Sequence, residues 1–203
     1  MGTLNEKKIL LIISGGIAAY KILDLIRNLK KKNCEIKTIL TESAKEFVTS
    51  LSIASLSQNK VYENKFDLNN EIEMDHIALS RWCDVILIAP TTANLISRLA
   101  SGSADDFIST VISASNKDIF LVPAMNVEMW NNPATAENVR TLLKYKYKFI
   151  GPVVGDLACG EVGEGKMSSI NEIENTLAHY FAKKNNSFSK LKAVVTAGPT
   201  REY

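Results

Sequence analysis

Cysteine and histidine are scarce in this chain. The three cysteines (Cys34, Cys83 and Cys159) are widely spaced and odd in number, so they make neither a disulfide framework nor a zinc-ligand pattern. No metal is expected. The formal net charge of +2 is too small to imply nucleic acid or an anionic membrane as a partner. Local basic runs at 30–32 and 183–184 fall at expected helix ends, where lysines complement the helix dipole. A long apolar segment is also missing. Residues 9–19 are interrupted by Gly15-Gly16 and closed by Lys21, too short to span a bilayer and without a cleavage pattern. A reducing cytoplasm is the expected location, and it leaves at least one thiol free for chemistry. What is present suits one globular domain with a sizeable core: 203 residues, 46% hydrophobic and 23% charged.

Residues 9–13 (ILLII) form a continuous aliphatic run, the pattern of a strand buried on both faces. Ser14-Gly15-Gly16 follows, then a helix over 17–32 with Ile17, Ala18, Ile22, Leu25, Ile26 and Leu29 at helical spacing. A second strand is expected at 35–40, and Thr41-Glu42-Ser43 leads into a helix over 44–49. Residues 58–70 are polar and read as an irregular excursion. A helix over 76–82 feeds a third strand at 85–89, and the turn 90–94 opens helices over 95–100 and 105–115. A strand at 118–122 ends on Pro123. A helix over 134–144, a short strand at 149–150 and a helix over 170–184 follow. This alternation predicts an α/β fold: a doubly wound parallel sheet of five or six strands in three layers.

Two stretches break the alternation. Residues 151–167 hold five glycines without a period and read as a long binding loop or lid. Residues 185–187 read as a linker and 191–196 as a fresh strand, so domains are expected at 1–184 and 185–203, the second only begun.

The candidate chemistry sits at strand ends, where open parallel sheets bind ligands. Gly15 and Gly16 would let the backbone approach a phosphate at a helix N-terminus. Their spacing is not Gly-x-Gly-x-x-Gly, which disfavours a dinucleotide. With Thr41 and Ser43 flanking Glu42, a mononucleotide is expected, a tight packing turn being the alternative. The turn Thr91, Thr92, Ala93, Asn94 offers polar groups to a flavin or base, or simply caps its helix. His76 is either a surface histidine or an acid–base group working near neutral pH. Asn126 follows a buried strand and Pro123, placed to meet a substrate. Cys159 lies in the glycine-rich segment, where a thiol could be carried over a substrate and donate a proton, or be incidental. Cys34 and Cys83 read as passive.

These residues fall within longer motifs: GGIAAYK (15–21), TESAKEF (41–47), DHIALSRWCDVILIAPTTAN (75–94), ADDFIST (104–110), PAMNVEMW (123–130) and LACGEVGEGKM (157–167). In that order they resemble the homo-oligomeric flavin-containing cysteine decarboxylase family. Within it they resemble the phosphopantothenoylcysteine decarboxylase part of bacterial bifunctional flavoproteins of coenzyme A biosynthesis. AGPTRE (197–202) is similar to the start of the ligase domain of such proteins.

The resemblance implies a flavodoxin- or Rossmann-like domain that holds FMN through Gly15, Gly16, Ile17, Thr41, Ser43, Phe47, Thr91, Thr92, Asn94 and Ser109 or Thr110. It implies His76, Asn126 and Cys159 as catalytic residues. Asn126 would hold the substrate carboxylate, beside Met125, Ala158, Lys166 and Met167. The implied substrate is 4'-phospho-N-pantothenoylcysteine and the product 4'-phosphopantetheine. Oxidation by flavin would give a thioaldehyde, loss of carbon dioxide an enethiolate, and reduction with Cys159 as proton donor the final thiol. The implied assembly is a homotrimer or dodecamer. A peptidyl-cysteine decarboxylase and a non-catalytic regulatory flavoprotein are the alternatives within reach of the same motifs.

Overall fold

The computed structural model describes residues 3–63 and 72–185. Six parallel strands form its sheet: β1 (Lys8–Ile13), β2 (Glu35–Leu40), β3 (Val61–Glu63), β4 (Val85–Thr91), β5 (Asp118–Pro123) and β6 (Lys148–Phe149). They lie in the order β3-β2-β1-β4-β5-β6. The order reverses between β1 and β4, which creates the crevice where such sheets receive ligands. The register pairs Ile9 with Ile36 on one side and with Val85 on the other.

The aliphatic run of β1 works in both directions. Ile9, Leu11 and Ile13 pack into one core layer, with Leu25, Ile26 and Leu29 of helix α1 (Ile22–Lys31) and Ile173, Leu177 and Phe181 of the last helix. Leu10 and Ile12 pack into the opposite layer, with Leu95, Ile96 and Leu99 and with Ile108, Val111 and Ile112. Each such side chain contributes about 1.5–3 kcal/mol on burial, so a strand apolar at every position is stable only between two helical layers. The predicted three-layer parallel sheet is what the chain forms.

Several elements differ from expectation. The helix expected over 17–32 starts with a 3-10 turn, Ile17–Lys21, before α1. The helix expected over 44–49 is a 3-10 turn at Glu42–Glu46, and a separate helix α2 (Ser50–Ser57) follows. Thr49 caps α2 by accepting from Ser52 N at 3.1 Å, and Gln58 ends it in the left-handed conformation. The polar stretch expected to be irregular contains the edge strand β3. The next helix, α3 (Ile72–Trp82), begins four residues before His76, which therefore sits inside the helix and not at its start.

Helices α4 (Ala93–Ala100), α5 (Phe107–Ser113), α6 (Val127–Asn131), α7 (Pro133–Lys144) and α8 (Ile170–Asn185) complete the layers. Asn132 caps α7, with Pro133 at its first position, where a missing N–H costs nothing. Glu174, buried on α8, binds Asn28 and Lys32 of the α1 end and ties the two helices together. The linker and strand expected after residue 185 lie outside the described residues.

The largest correction concerns 151–167. This segment is an antiparallel hairpin, β7 (Val153–Asp156) and β8 (Val162–Lys166). Leu157 N donates to Glu161 O at 2.8 Å and Gly160 N to Leu157 O at 3.0 Å, closing a three-residue loop of Ala158, Cys159 and Gly160. Gly160 takes the left-handed φ of 87° that such loops require.

Candidate functional site

Between the first glycine turn and the hairpin lies a cavity of about 590 Å³. Its walls come from four places along the chain. The turn after β1 supplies Gly16, Ile17, Ala18, Tyr20 and Lys21, and the end of β5 supplies Ala124, Met125 and Asn126. The end of β7 and the loop after it supply Asp156, Leu157, Ala158 and Cys159, and the end of β8 supplies Gly165, Lys166 and Met167.

The glycine turn is built for close approach. A Cβ on Gly15 would stand 2.6 Å from both Cβ and Oγ of Ser43, so the turns after β1 and β2 touch only because residue 15 has no side chain. Gly16 has φ 155° with open space beside it, and the 3-10 turn that follows has no side-chain cap. Its leading N–H groups are left for a ligand. Thr41 caps the neighbouring turn, accepting from Ala44 N at 3.1 Å, with Ser43 Oγ 3.3 Å from its hydroxyl.

Asn126 is the N-cap of α6. Its Oδ1 accepts from Met129 N at 2.8 Å, which leaves the NH₂ end as the free part of the amide. A residue that could accept or donate is thus fixed as a donor. Met125 N donates to Gly165 O at 3.0 Å and fastens the hairpin to the turn that carries Asn126. Cys159, at the hairpin tip, is exposed. The other two cysteines are buried, and desolvation pushes both thiols up to about 11, so neither is a thiolate near neutral pH.

Of the residues singled out in sequence, Gly16, Ile17, Met125, Asn126, Ala158, Cys159, Lys166 and Met167 line this one cavity. Gly15 and Ser43 adjoin it through their mutual contact, with Thr41 beside Ser43. Tyr20, Lys21, Asp156 and Gly165 line it too and were missed, although Lys21 ends the GGIAAYK motif.

The turn after β4 is reached through Ser14, whose Oγ donates to Pro90 O at 2.6 Å and accepts from Thr92 N at 3.2 Å. Thr92 caps α4, accepting from Leu95 N, and Asn94 is exposed on that helix. Thr91 is different. It is fully buried, its hydroxyl donating to Ile88 O at 2.7 Å and accepting from Val122 N at 3.1 Å. It stitches β4 to β5, and its hydroxyl is engaged in that contact.

Ser109 is likewise buried, its hydroxyl 2.6 Å from Asp106 Oδ1 in a capping box that starts α5. Thr110 donates to Asp106 O at 2.7 Å. Phe47 is exposed outside the cavity, and His76 is half-buried on α3, also outside it.

A family model described as Flavoprotein matches residues 1–182. A coenzyme A biosynthesis bifunctional protein CoaBC from Haemophilus influenzae is 44% identical over 199 residues, 98% of this chain and 50% of its own length. The Bacillus subtilis CoaBC is 40% identical over 200 residues, 98% of this chain and 49% of its own. The chain therefore spans about half the length of these relatives.

Among solved structures, the FMN binding protein AtHal3 is 31% identical, with a TM-score of 0.76 over 88% of this chain and 98% of that one. A PPC decarboxylase mutant complexed with pantothenoylaminoethenethiol is 29% identical, with a TM-score of 0.76 over 88% of this chain and 100% of that one. Neither the sheet order nor the glycine turn alone separates this fold from other doubly wound proteins. With the family match over nearly the whole described chain they do, and the chain belongs to the flavoprotein family.

Proposed function

We propose that the chain decarboxylates 4'-phospho-N-pantothenoylcysteine to 4'-phosphopantetheine with FMN as its cofactor. The observation that carries this reading is the single cavity shared by the glycine turn, the Asn126 amide and the Cys159 thiol. The residues present fit FMN. An uncapped turn N-terminus beside the Ser43 hydroxyl suits a phosphate, and a mostly apolar cavity of about 590 Å³ is of the size that holds a small cofactor or substrate. Gly15, Gly16, Ile17, Thr41 and Ser43 would hold the phosphate side, with Thr92 and Asn94 near the flavin edge. FMN would supply reversible two-electron oxidation of the cysteinyl thiol, the electron sink that an ordinary α-carboxylate lacks.

The protein's own groups do the rest. The Asn126 NH₂ donates to the substrate carboxylate without forming an ion pair that would hold the departing group back. Met125 and Met167 wall the reacting carbon from water. Cys159 Sγ–H delivers the proton to the carbon left behind when carbon dioxide departs.

His76 enters this reading from a second copy of the chain. Leu51 of α2, outside the cavity lining, is an exposed apolar side chain at 77%. It suits a homo-oligomer, which this reading takes as a homotrimer or a dodecamer whose neighbouring subunit brings α3 to the site. The reading also places the protein in the cytoplasm and takes the stretch after residue 185, by its resemblance, as the start of a ligase domain.

The test is incubation of FMN-loaded protein with phosphopantothenoylcysteine, following carbon dioxide and product mass. Release of carbon dioxide with phosphopantetheine as product supports the reading, and unchanged substrate sinks it. Cys159→Ser should stop at a product about 2 Da lighter, because reduction is not completed without the proton donor. Sedimentation should give a mass that is a multiple of three chains.

A further inference from the structure

Lys166 reaches the cavity through two glycines. Across the hairpin, Val154 pairs with Glu164, and both are exposed and stand outside the cavity lining. Strict alternation along β8 would put Lys166 on that same face, two residues after Glu164. It does not lie there. The register shifts between Val153 and Val154, so that Val153 pairs with Lys166 and Gly165 is left as an extra, unpaired residue. One extra residue reverses the parity of the strand, the way a bulge re-aims a side chain beside an active site.

Lys166 thereby moves to the inner face and lies across Gly155. A Cβ at residue 155 would stand 2.9 Å from Lys166 Cδ and 3.0 Å from Nζ, so a side chain there would push the flexible end of the lysine aside. Among the described residues Lys166 makes no ion pair. An aimed and unpaired ammonium lining a ligand cavity calls for an anion from the ligand.

We infer that Lys166 is the specificity residue for the phosphate of the substrate, an inference that rests on the decarboxylase reading. Such a substrate carries two anionic ends, and they make opposite demands. An ammonium on the carboxylate would stabilise the ground state and lose its partner as carbon dioxide leaves, which slows the reaction. The neutral Asn126 donor suits that end. The phosphate keeps its charge throughout, so an ammonium on it adds binding without opposing the chemistry, and lysine serves phosphate as a point charge. The other cavity lysine, Lys21, lies over the Tyr20 ring at 5.9 Å and stands on the turn read as the cofactor's.

The test compares phosphopantothenoylcysteine with its dephosphorylated counterpart in FMN-loaded wild type, Lys166→Met, Lys166→Arg and Gly155→Ala. The ratio of kcat/KM for the two compounds should fall about tenfold to a hundredfold in Lys166→Met, through KM, as expected for one charge-assisted contact. Lys166→Arg should keep most of the ratio. Gly155→Ala, which retains the lysine but displaces it, should lose it. A ratio that stays at the wild-type value in Lys166→Met overturns the inference, as does a loss confined to kcat.

Should Lys166→Met not fold, calorimetry on the wild type decides. Phosphopantetheine must bind more tightly than pantetheine, with a difference that shrinks in Lys166→Arg far less than in Gly155→Ala; equal binding of the two compounds overturns it. Wild-type protein that prefers the phosphorylated compound yet releases no carbon dioxide would refute the decarboxylase reading and leave the lysine's role standing.

Discussion

The contact between hairpin and sheet can be broken by a single methyl group. In Gly165→Ala the new Cβ would fall onto the Met125 carbonyl oxygen and lie 3.3 Å from the Asn126 backbone carbon and oxygen. These neighbours are backbone atoms, so no rotamer change relieves the clash. The glycine also holds φ at 148°, and an L residue in that region costs about 1–3 kcal/mol. Moving the strand away breaks the hydrogen bond from Met125 N to Gly165 O, worth about 1 kcal/mol. The sum, about 2–4 kcal/mol, is below the roughly 5–15 kcal/mol that holds a domain folded. The six-stranded sheet takes no hydrogen bond from the hairpin strands.

The protein should therefore fold with its hairpin displaced from the Asn126 turn. A shift of about 1 Å in a reacting group is enough to cost a hundredfold in rate. Urea unfolding should show a loss no larger than the figure above, while kcat/KM for decarboxylation falls by about a hundred or more. Gly160→Ala is the control: it too has positive φ, but nothing stands within 4 Å of the new methyl. It should lose only the strain, about 1–2 kcal/mol. Wild-type kcat/KM in Gly165→Ala would refute the claim that this contact positions the site.

Three further outcomes separate structural from ligand-binding hydroxyls and charges. Thr91→Val removes the partner of Val122 N and the donor to Ile88 O, and should destabilise by about 2–3 kcal/mol in urea; an unchanged midpoint would return Thr91 to the cofactor site. Ser109→Ala weakens the capping box of α5 and should cost about 1 kcal/mol, with flavin affinity measured by fluorescence unaltered. Burial alone would raise the Asp118 carboxyl, but hydrogen bonds from Lys148 and Tyr180 outweigh it and hold the carboxyl below its usual range. Its contribution is therefore present above the unfolded value near about pH 4 and lost as pH falls through the lower folded value. Asp118→Asn should flatten the acid limb of a stability–pH profile, and an identical limb in the variant would count against the pairing.

Much of the sheet was legible because a strand buried on both faces needs apolar residues at every position, and 9–13, 85–89 and 118–122 supply them. Helix α2 was missed because its sequence, SLSIASLS, places serine where an amphipathic helix would show charge. Hydroxyls are hard to assign for a different reason. Thr91 and Ser109 lie in motifs beside true cavity residues, and sequence does not say whether an Oγ faces a ligand or closes a hydrogen bond inside the core. His76 could be singled out as one of two histidines, but no pattern in the chain says on which side of the sheet α3 packs.

The hairpin was the hardest segment to read, and its glycines explain the difficulty. Alternation marks a strand only when side chains alternate, and β7–β8 carries glycine at 155, 163 and 165. At 155 and 165 the missing side chain admits a specific neighbour, the Lys166 chain in one case and the Met125 carbonyl in the other. Glycine-rich composition here reflects close approach within an ordered hairpin, not a loop without structure. Cys159 therefore sits at the tip of a strand pair hydrogen-bonded to the turn that carries Asn126. Donor amide and thiol thus belong to one connected unit, and the same bulge that secures that connection turns Lys166 inward beside them.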